Sequence, residues 1–299
     1  MSRTPLPRIL TAALLLAALG VAWLSPVPEV RVLFVGTGHP DIAADKPRMQ
    51  SGIVVDVGGD RWLFDAGAGV VARMFDQKRP PHTLTHIFLS HLHYDHCLDL
   101  DAVLLLWRTG GPVPAPGQRP APRPLTLFGP DGTEKMLVDL YDSAYSVDGR
   151  GRVLLKMPSF KRFRIRDAGV YEGKGYKVSF REVKHANMDC WAVKLETAVR
   201  TLVFSGDLGG PNNLRAEDNA DFSEWAKGAD MLIIDTLHIP PEELAKIAAQ
   251  VKPKTMVFSH LTERQLPIFK HYDLDKTLAL CSKEAGKVVV AVEGLELKL

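Results

Sequence analysis

The chain has 299 residues, 46% hydrophobic and 24% charged, a balance that supports one large or two small packed cores and excludes a mainly disordered polypeptide. Its 37 Lys and Arg against 35 Asp and Glu give a formal charge of +2, without the clustered excess that phosphate-backbone contacts need, so nucleic acid is not an expected partner. Three cysteines, Cys97, Cys190 and Cys281, are too few and too scattered for a disulfide framework or a Cys-based zinc site; they read as buried thiols, with one oxidised pair left open.

The first elements in chain order are unlike the rest. Arg3 and Arg8 precede an apolar run from Ile9 to Leu24 broken only by Thr11 and Gly20, and no acidic residue occurs before Glu29. That layout makes residues 1–24 a signal peptide or an N-terminal membrane anchor, and it places the protein in the periplasm or on the outer face of the inner membrane. Loss of residues 1–22 would remove Arg3 and Arg8 from the 37 basic residues, leaving 35 against 35 acidic.

Residues 30–299 read as one domain without internal repeats. Short β-branched or aromatic runs bounded by Gly, Asp or Pro predict strands over residues 30–35, 52–57, 61–64 and 86–89. Helices are expected over residues 68–75 and 98–107, the second with Leu98, Leu100, Val103, Leu104, Leu105 and Trp107 apolar. The Pro-rich stretch from Pro112 to Pro124 must be loop. A strand over residues 125–128 and a helix near 133–145 follow. The second half predicts strands at residues 176–183, 191–195, 201–204, 231–234, 255–258 and 287–292, and a helix opened by Pro240 and Pro241 that runs to Val251. Two β-rich halves flanked by helices favour an α/β layered sandwich.

Chemistry is concentrated between the strand ending at residue 89 and the helix starting at 98. The string Ser90-His91-Leu92-His93-Tyr94-Asp95-His96 places four potential ligands in six positions of a chain with ten histidines. Residues two apart on an extended strand end share a face, so His91 and His93 can grip one metal ion. Where the chain turns, Asp95 and His96 can hold a second. Nitrogen and oxygen donors without thiolate suit Zn2+ best, and Mn2+ or Fe2+ accept the same set. Two such ions about 3.5–4 Å apart lower the pKa of a shared water and polarise the bond it attacks.

This string resembles the His-x-His-x-Asp-His motif of the metallo-β-lactamase superfamily, and further stretches resemble that family's other motifs in order: Phe64-Asp65-Ala66-Gly67, the segment from Lys184 bearing His185, Phe204-Ser205-Gly206-Asp207-Leu208, and Phe258-Ser259-His260-Leu261. The resemblance covers nearly all of the chain after residue 29. It implies a four-layer αββα sandwich, with His91, His93 and His185 on one metal, Asp95, His96 and His260 on the other, and Asp207 and a hydroxide bridging them. Asp65 is then expected either to steady a ligand imidazole or simply to serve a turn before Gly67.

Within the superfamily, Asp207 stands where true β-lactamases usually carry Cys, which disfavours antibiotic hydrolysis, and the intact His93 disfavours the redox branch. The opening Phe34-Val35-Gly36-Thr37-Gly38-His39-Pro40 and the Asp207 and His260 motifs look most like the ribonuclease Z and arylsulfatase-like branch. There the bridging aspartate is followed by a Glu and His pair, which Asp235 and His238 resemble, although Ile239 departs from that pattern. The resemblance therefore counts Asp95, Asp235 and His238 as catalytic, with His238 protonating the leaving group and Asp235 orienting it. No basic, Gly-rich arm for gripping tRNA is visible. The expected activity is hydrolysis of a small ester by a dinuclear metal centre, a sulfate or phosphate ester first, with a ribonuclease Z-like phosphodiesterase or lactonase as alternative, and a non-catalytic metal- or ligand-binding envelope protein as the rival from another class. The partner is a small-molecule ester, anionic where it is a sulfate or phosphate ester; nothing sets an oligomeric state.

Lys161-Arg162-Phe163-Arg164-Ile165-Arg166 alternates with period two, predicting a strand with Arg162, Arg164 and Arg166 on one face. That face is either an edge strand guarded by charge or a basic rim that draws in anionic substrate.

Overall fold

The strand runs carry apolar residues on both faces, as strands covered on both sides must. In β1 (Arg31–Gly36), Phe34 turns one way and Leu33 and Val35 the other; in β3 (Asp60–Phe64), Trp62 and Phe64 oppose Leu63. In the computed structural model, which describes residues 27–39, 48–110, 123–144, 161–210, 215–262 and 269–299, this alternation sorts into three packed zones. The expected N-terminal segment and most of the Pro112 to Pro124 stretch lie outside these residues.

The described strands form two seven-stranded sheets. The first contains β1, β2 (Gly52–Val57), β3, β4 (His86–Phe88), β5 (Thr126–Gly129), β6 (Lys161–Arg164) and β14 (Glu296–Lys298), in the order β14-β1-β2-β3-β4-β5-β6. The second contains β7 (Tyr171–Gly173), β8 (Tyr176–His185), β9 (Met188–Thr197), β10 (Thr201–Phe204), β11 (Met231–Asp235), β12 (Thr255–Ser259) and β13 (Lys287–Val290), in the order β13-β12-β11-β10-β9-β8-β7. Antiparallel pairing joins β1 to β2 and β8 to β9, whereas β3 through β6 and β10 through β13 run parallel.

Between the sheets lie Phe34, Trp62, Phe64, Phe88 and Phe128 of the first and Val178, Trp191, Phe204, Ile233 and Val257 of the second. Trp62 ties the halves together: its ring stacks on His86 at 4.2 Å, and its Nε1 donates to the Tyr176 hydroxyl at 3.0 Å. Outside the first sheet pack Val70 and Met74 of the helix Val70–Asp76 and Leu100, Val103, Leu104 and Trp107 of the helix Leu100–Thr109. Outside the second pack Phe222 of Ala220–Trp225, Leu244 and Ile247 of Pro241–Val251, and Cys281 of Leu274–Cys281. The result is the expected four-layer αββα sandwich.

All three cysteines are free thiols. Cys190 and Cys281 are buried as expected; Cys97 is part-exposed, its Sγ turned to the His93 carbonyl at 3.3 Å. The predicted strand over 161–166 stops at Arg164. Ile165 opens a four-residue helix, Ile165–Ala168, and is itself buried, so the period-two reading fails beyond Arg164.

Candidate metal centre

Parallel strands bring their carboxyl ends to one edge of a sheet, and loops leaving that edge can share a site. Here the ends of β3, β4, β8, β10, β11 and β12 meet across the two sheets, joined at the centre by a hydrogen bond from the Trp191 N–H of the second sheet to the Ser90 carbonyl of the first at 2.9 Å. His93 is still extended, with φ −62° and ψ 144°, and the next residue starts the short helix Tyr94–Cys97. That change of backbone separates the ligands: His91 and His93 leave along the strand direction, whereas Asp95 and His96 project from the helix. In Ser205-Gly206-Asp207 the turn needs Gly206, whose φ is +60° and whose Cβ, if present, would lie 2.8 Å from the Trp191 carbonyl oxygen.

Three overlapping donor groups result. His91, His93, His185 and Asp207 form one, Asp95, His96 and His260 a second, and Asp207, Asp235, His238 and His260 a third, each with its ligand atoms within 4.8 Å of one another. In the first group, His93 Nδ1 lies 2.9 Å from His91 Nε2 and 3.2 Å from His185 Nε2. In the second, Asp95 Oδ2 lies 3.4 Å from His96 Nε2 and 3.7 Å from His260 Nε2. Asp207 Oδ2 lies between the first two groups, at 3.8 Å from His91 Nε2 and His185 Nε2, 3.3 Å from His96 Nε2 and 3.4 Å from His260 Nε2. Ligand atoms held tetrahedrally about 2.0–2.1 Å from zinc sit roughly 3.3 Å apart, close to these separations.

The protonation pattern agrees with cation binding. His185 Nδ1 donates to the Gly209 carbonyl at 3.1 Å and His96 Nδ1 to Asp65 Oδ2 at 2.7 Å, which leaves each Nε2 lone pair facing the centre. His96 Nε2, Asp207 Oδ2 and both ring nitrogens of His260 are buried without a hydrogen-bond partner among the described residues. Buried polar atoms are rarely left so. Burial opposes charge on His96, yet the carboxylates of Asp207, Asp65 and Asp95 outweigh it and hold its pKa well above normal, so His96 Nε2 sits where a positive charge is favoured and a divalent cation would take the place of its proton. Burial would raise Asp207, but His260 and His96 hold its carboxyl well below the usual range. Burial keeps His91 and His185 neutral, His185 at about 4. Two carboxylates and five imidazoles thus share an enclosed space that divalent cations fit in charge, donor type and spacing.

Asp65 stands behind the ligands, fully buried, with φ +60° at the end of β3. It accepts from the Ser90 N–H at 2.7 Å, the Ser90 hydroxyl at 2.9 Å, the Ser51 hydroxyl at 3.2 Å and His96. That is more than a turn residue requires; it fixes the His96 ring.

Asp235 and His238 lie beside the metal ligands. The last residue of β11, Asp235 accepts from the Leu237 and Leu208 N–H groups at 2.8 and 3.1 Å and from His238 Nδ1 at 2.7 Å. Burial disfavours charge on His238, but Asp235 and Asp207 overcome it and place its pKa at about 9. His238 stacks on His260 with ring centroids 5.2 Å apart. Its Nδ1 is 3.7 Å from Asp207 Oδ2, so the dyad reaches the edge of the donor set.

His39 was not assigned a role by its sequence pattern, yet its ring meets His260 edge-to-face at 5.5 Å and Phe269 at 5.4 Å, with His238 at 6.4 Å. The available signal was its position just past β1, at the same sheet edge as the ligands. The basic motif at 161–166, in contrast, does not face the centre as a free positive strip. Arg162 lies 3.6 Å from Glu134, Arg164 2.6 Å from Asp167, and Arg166 3.0 Å from Asp189, so acidic partners neutralise all three.

Residues 60–261 match a family model for a beta-lactamase superfamily domain. The chain is 23% identical to Ribonuclease Z of Pyrococcus horikoshii, over 84% of this chain and 92% of that protein. Among solved structures, it is similar to the metallo-beta-lactamase fold protein YhfI from Bacillus subtilis, with TM-score 0.68 and 18% identity, covering 91% of this chain and all of the other (100%). It is also similar to human tRNase Z, short form, with TM-score 0.61 and 17% identity, covering 89% and 98%. At these identities the structural likeness is one of fold.

Proposed function

Because the chain belongs to the beta-lactamase superfamily, matched over residues 60–261, we propose that it is a dinuclear-metal hydrolase whose substrate is a small phosphodiester. The observation that carries the reading is the position of Asp207 Oδ2, within 3.8 Å of His91 and His185 on one side and within 3.4 Å of His96 and His260 on the other, with the His238–Asp235 pair beside it. The similarity to Ribonuclease Z moves the phosphodiesterase alternative ahead of the small sulfate or phosphate ester expected first from the sequence. The near balance of 37 basic and 35 acidic residues favours a small substrate over a polynucleotide.

When bound, the metal ions, zinc by donor type, supply a water of lowered pKa and neutralise negative charge on the attacked group. His91, His93 and His185 would hold one ion and Asp95, His96 and His260 the other, with Asp207 placed between the two sets. Gly209 and Asp65 orient His185 and His96 so that Nε2 of each faces the donor cluster. His238 carries the proton for the leaving oxygen. Asp235, its own charge held by two backbone N–H groups, fixes the His238 Nδ1–H and leaves Nε2 as the atom that donates.

Zinc-loaded protein tested against bis(p-nitrophenyl) phosphate, p-nitrophenyl phosphate, p-nitrophenyl sulfate, a lactone and a cephalosporin should give its highest kcat/KM on the diester. Preference for the sulfate or lactone would replace the reading, and metal-loaded protein inert on all five would leave a binding role. General acid catalysis contributes about 10²–10⁴-fold, so His238→Ala should lower kcat by that order on an alkyl phosphodiester with metal content intact. The loss should shrink on the nitrophenyl diester, whose leaving group departs without a proton; equal losses on both would remove His238 from proton transfer.

Export belongs to the same proposal. The basic and apolar pattern of residues 1–24 supports a periplasmic or membrane-anchored enzyme. Cell fractionation should find the protein there, and full-length protein in the cytoplasm would refute it.

A further inference from the structure

His39 is the imidazole at this centre that none of the three donor groups uses. The chain around it is fixed on two sides. The Gly38 N–H donates to the Met49 carbonyl at 2.8 Å, the His39 N–H donates to the Leu261 carbonyl at 3.0 Å, and the Leu261 N–H donates to the Thr37 carbonyl at 2.8 Å. Leu261 directly follows the ligand His260, so the position of His39 is set by the same strand end that sets a metal ligand. Gly38 makes this approach possible, since a Cβ there would lie 2.5 Å from the Arg48 Cβ. A histidine held in this way is not a solvated surface residue with a choice of rotamers.

The ring makes edge-to-face contacts with Phe269 at 5.4 Å, His260 at 5.5 Å and His238 at 6.4 Å. Its Nδ1 is buried with no hydrogen-bond partner among the described residues. Leaving a buried imidazole nitrogen unbonded costs free energy that a folded protein recovers only when some group arrives to bond it. His39 lies on the side of the centre where the second donor group meets the His238–Asp235 pair, away from His91, His93 and His185, with which it makes no ring contact. An ester group attacked at the metals and protonated by His238 must present its oxygens to this side.

We propose that His39 is a substrate-binding residue that donates a hydrogen bond to a phosphoryl oxygen from the His260 and His238 side of the metal centre. The inference rests on the phosphodiester reading for its substrate, but it can be tested by binding alone.

The experiment measures inorganic phosphate binding to zinc-loaded wild type, His39→Ala and His39→Gln by calorimetry, with zinc content and diester kinetics on the same samples. A hydrogen bond to a charged group predicts phosphate affinity about 10–100-fold weaker in His39→Ala. His39→Gln, which retains an amide donor, should recover most of it. Zinc content should be the same in all three, and KM for the diester should rise more than kcat falls. Unchanged phosphate affinity in His39→Ala, equal weakening in both variants, or no phosphate binding by wild type would overturn the proposal. Wild type that binds phosphate in a His39-dependent way yet fails to turn over the diester would refute the phosphodiesterase reading and leave the role of His39 standing.

Discussion

Asp65 shows how one side chain away from the metals can decide whether a metal is held. It is the acceptor for His96 Nδ1, and the Ser90 and Ser51 hydroxyls keep its carboxylate from rotating. Groups that orient a metal-bound histidine are commonly worth about 10–100-fold in metal affinity. Asp65→Asn keeps the size and tolerates the left-handed backbone at φ +60°, so the fold should survive. Competition with a chromophoric chelator should show the Asp95, His96 and His260 site weakened by about that factor and the His91, His93 and His185 site little changed. Equal weakening at both sites, or at neither, would contradict this role. The seven ligands were legible because four share one short string and three sit beside strand ends in a recognisable order. His39 was not legible, because what distinguishes it is contact with His238 and His260, residues far away in the sequence.

Among the elements, buried central strands could be read closely and edge strands could not. Residues 52–57 and 201–204 coincide with β2 and β10, whose burial writes apolar runs, interrupted by Asp56 in β2. β8 and β9 extend beyond the expected 176–183 and 191–195, because the ends of their hairpin carry Lys184, His185, Met188 and Asp189 in an antiparallel register that local composition does not mark. The three-residue strands β7 and β14 lie at sheet edges, too short for any periodicity. The helix Leu274–Cys281 did leave a signal, since Asp273 caps it by accepting from the Lys276 N–H at 2.9 Å. β6 is the other edge of the first sheet, and its four residues are exposed. Lys161, Arg162 and Arg164 act there as charged guards against strand addition. In Arg162→Ser/Arg164→Ser protein, kcat/KM should change by less than about twofold across ionic strength, as screened surface pairs allow. Sedimentation should show more self-association. A raised KM that loses its salt dependence would restore the basic rim.

At the scale of the molecule, the metal centre is a seam between two sheets. The loop after β4 supplies His91, His93, Asp95 and His96 from the first sheet, whereas β8, β10 and β12 bring His185, Asp207 and His260 from the second. Without cations, the buried carboxylates of Asp95 and Asp207 face imidazoles across an enclosed space, so metal binding and cohesion of the halves are linked. Ligand at about a thousand times its dissociation constant adds about 4 kcal/mol of stability. For a domain of this size, chelation should lower Tm by about 8–16 °C, with recovery on adding zinc.

The position of Asp207 between the first two donor groups is tested most directly by elemental analysis of zinc-loaded wild type and Asp207→Ala after exhaustive dialysis. Two zinc ions per chain are predicted for wild type, with both sites depleted in Asp207→Ala, against loss from one site only in His185→Ala and in His260→Ala. One ion or fewer in wild type, or Asp207→Ala that loses one ion and keeps the other at full occupancy, would contradict the shared centre.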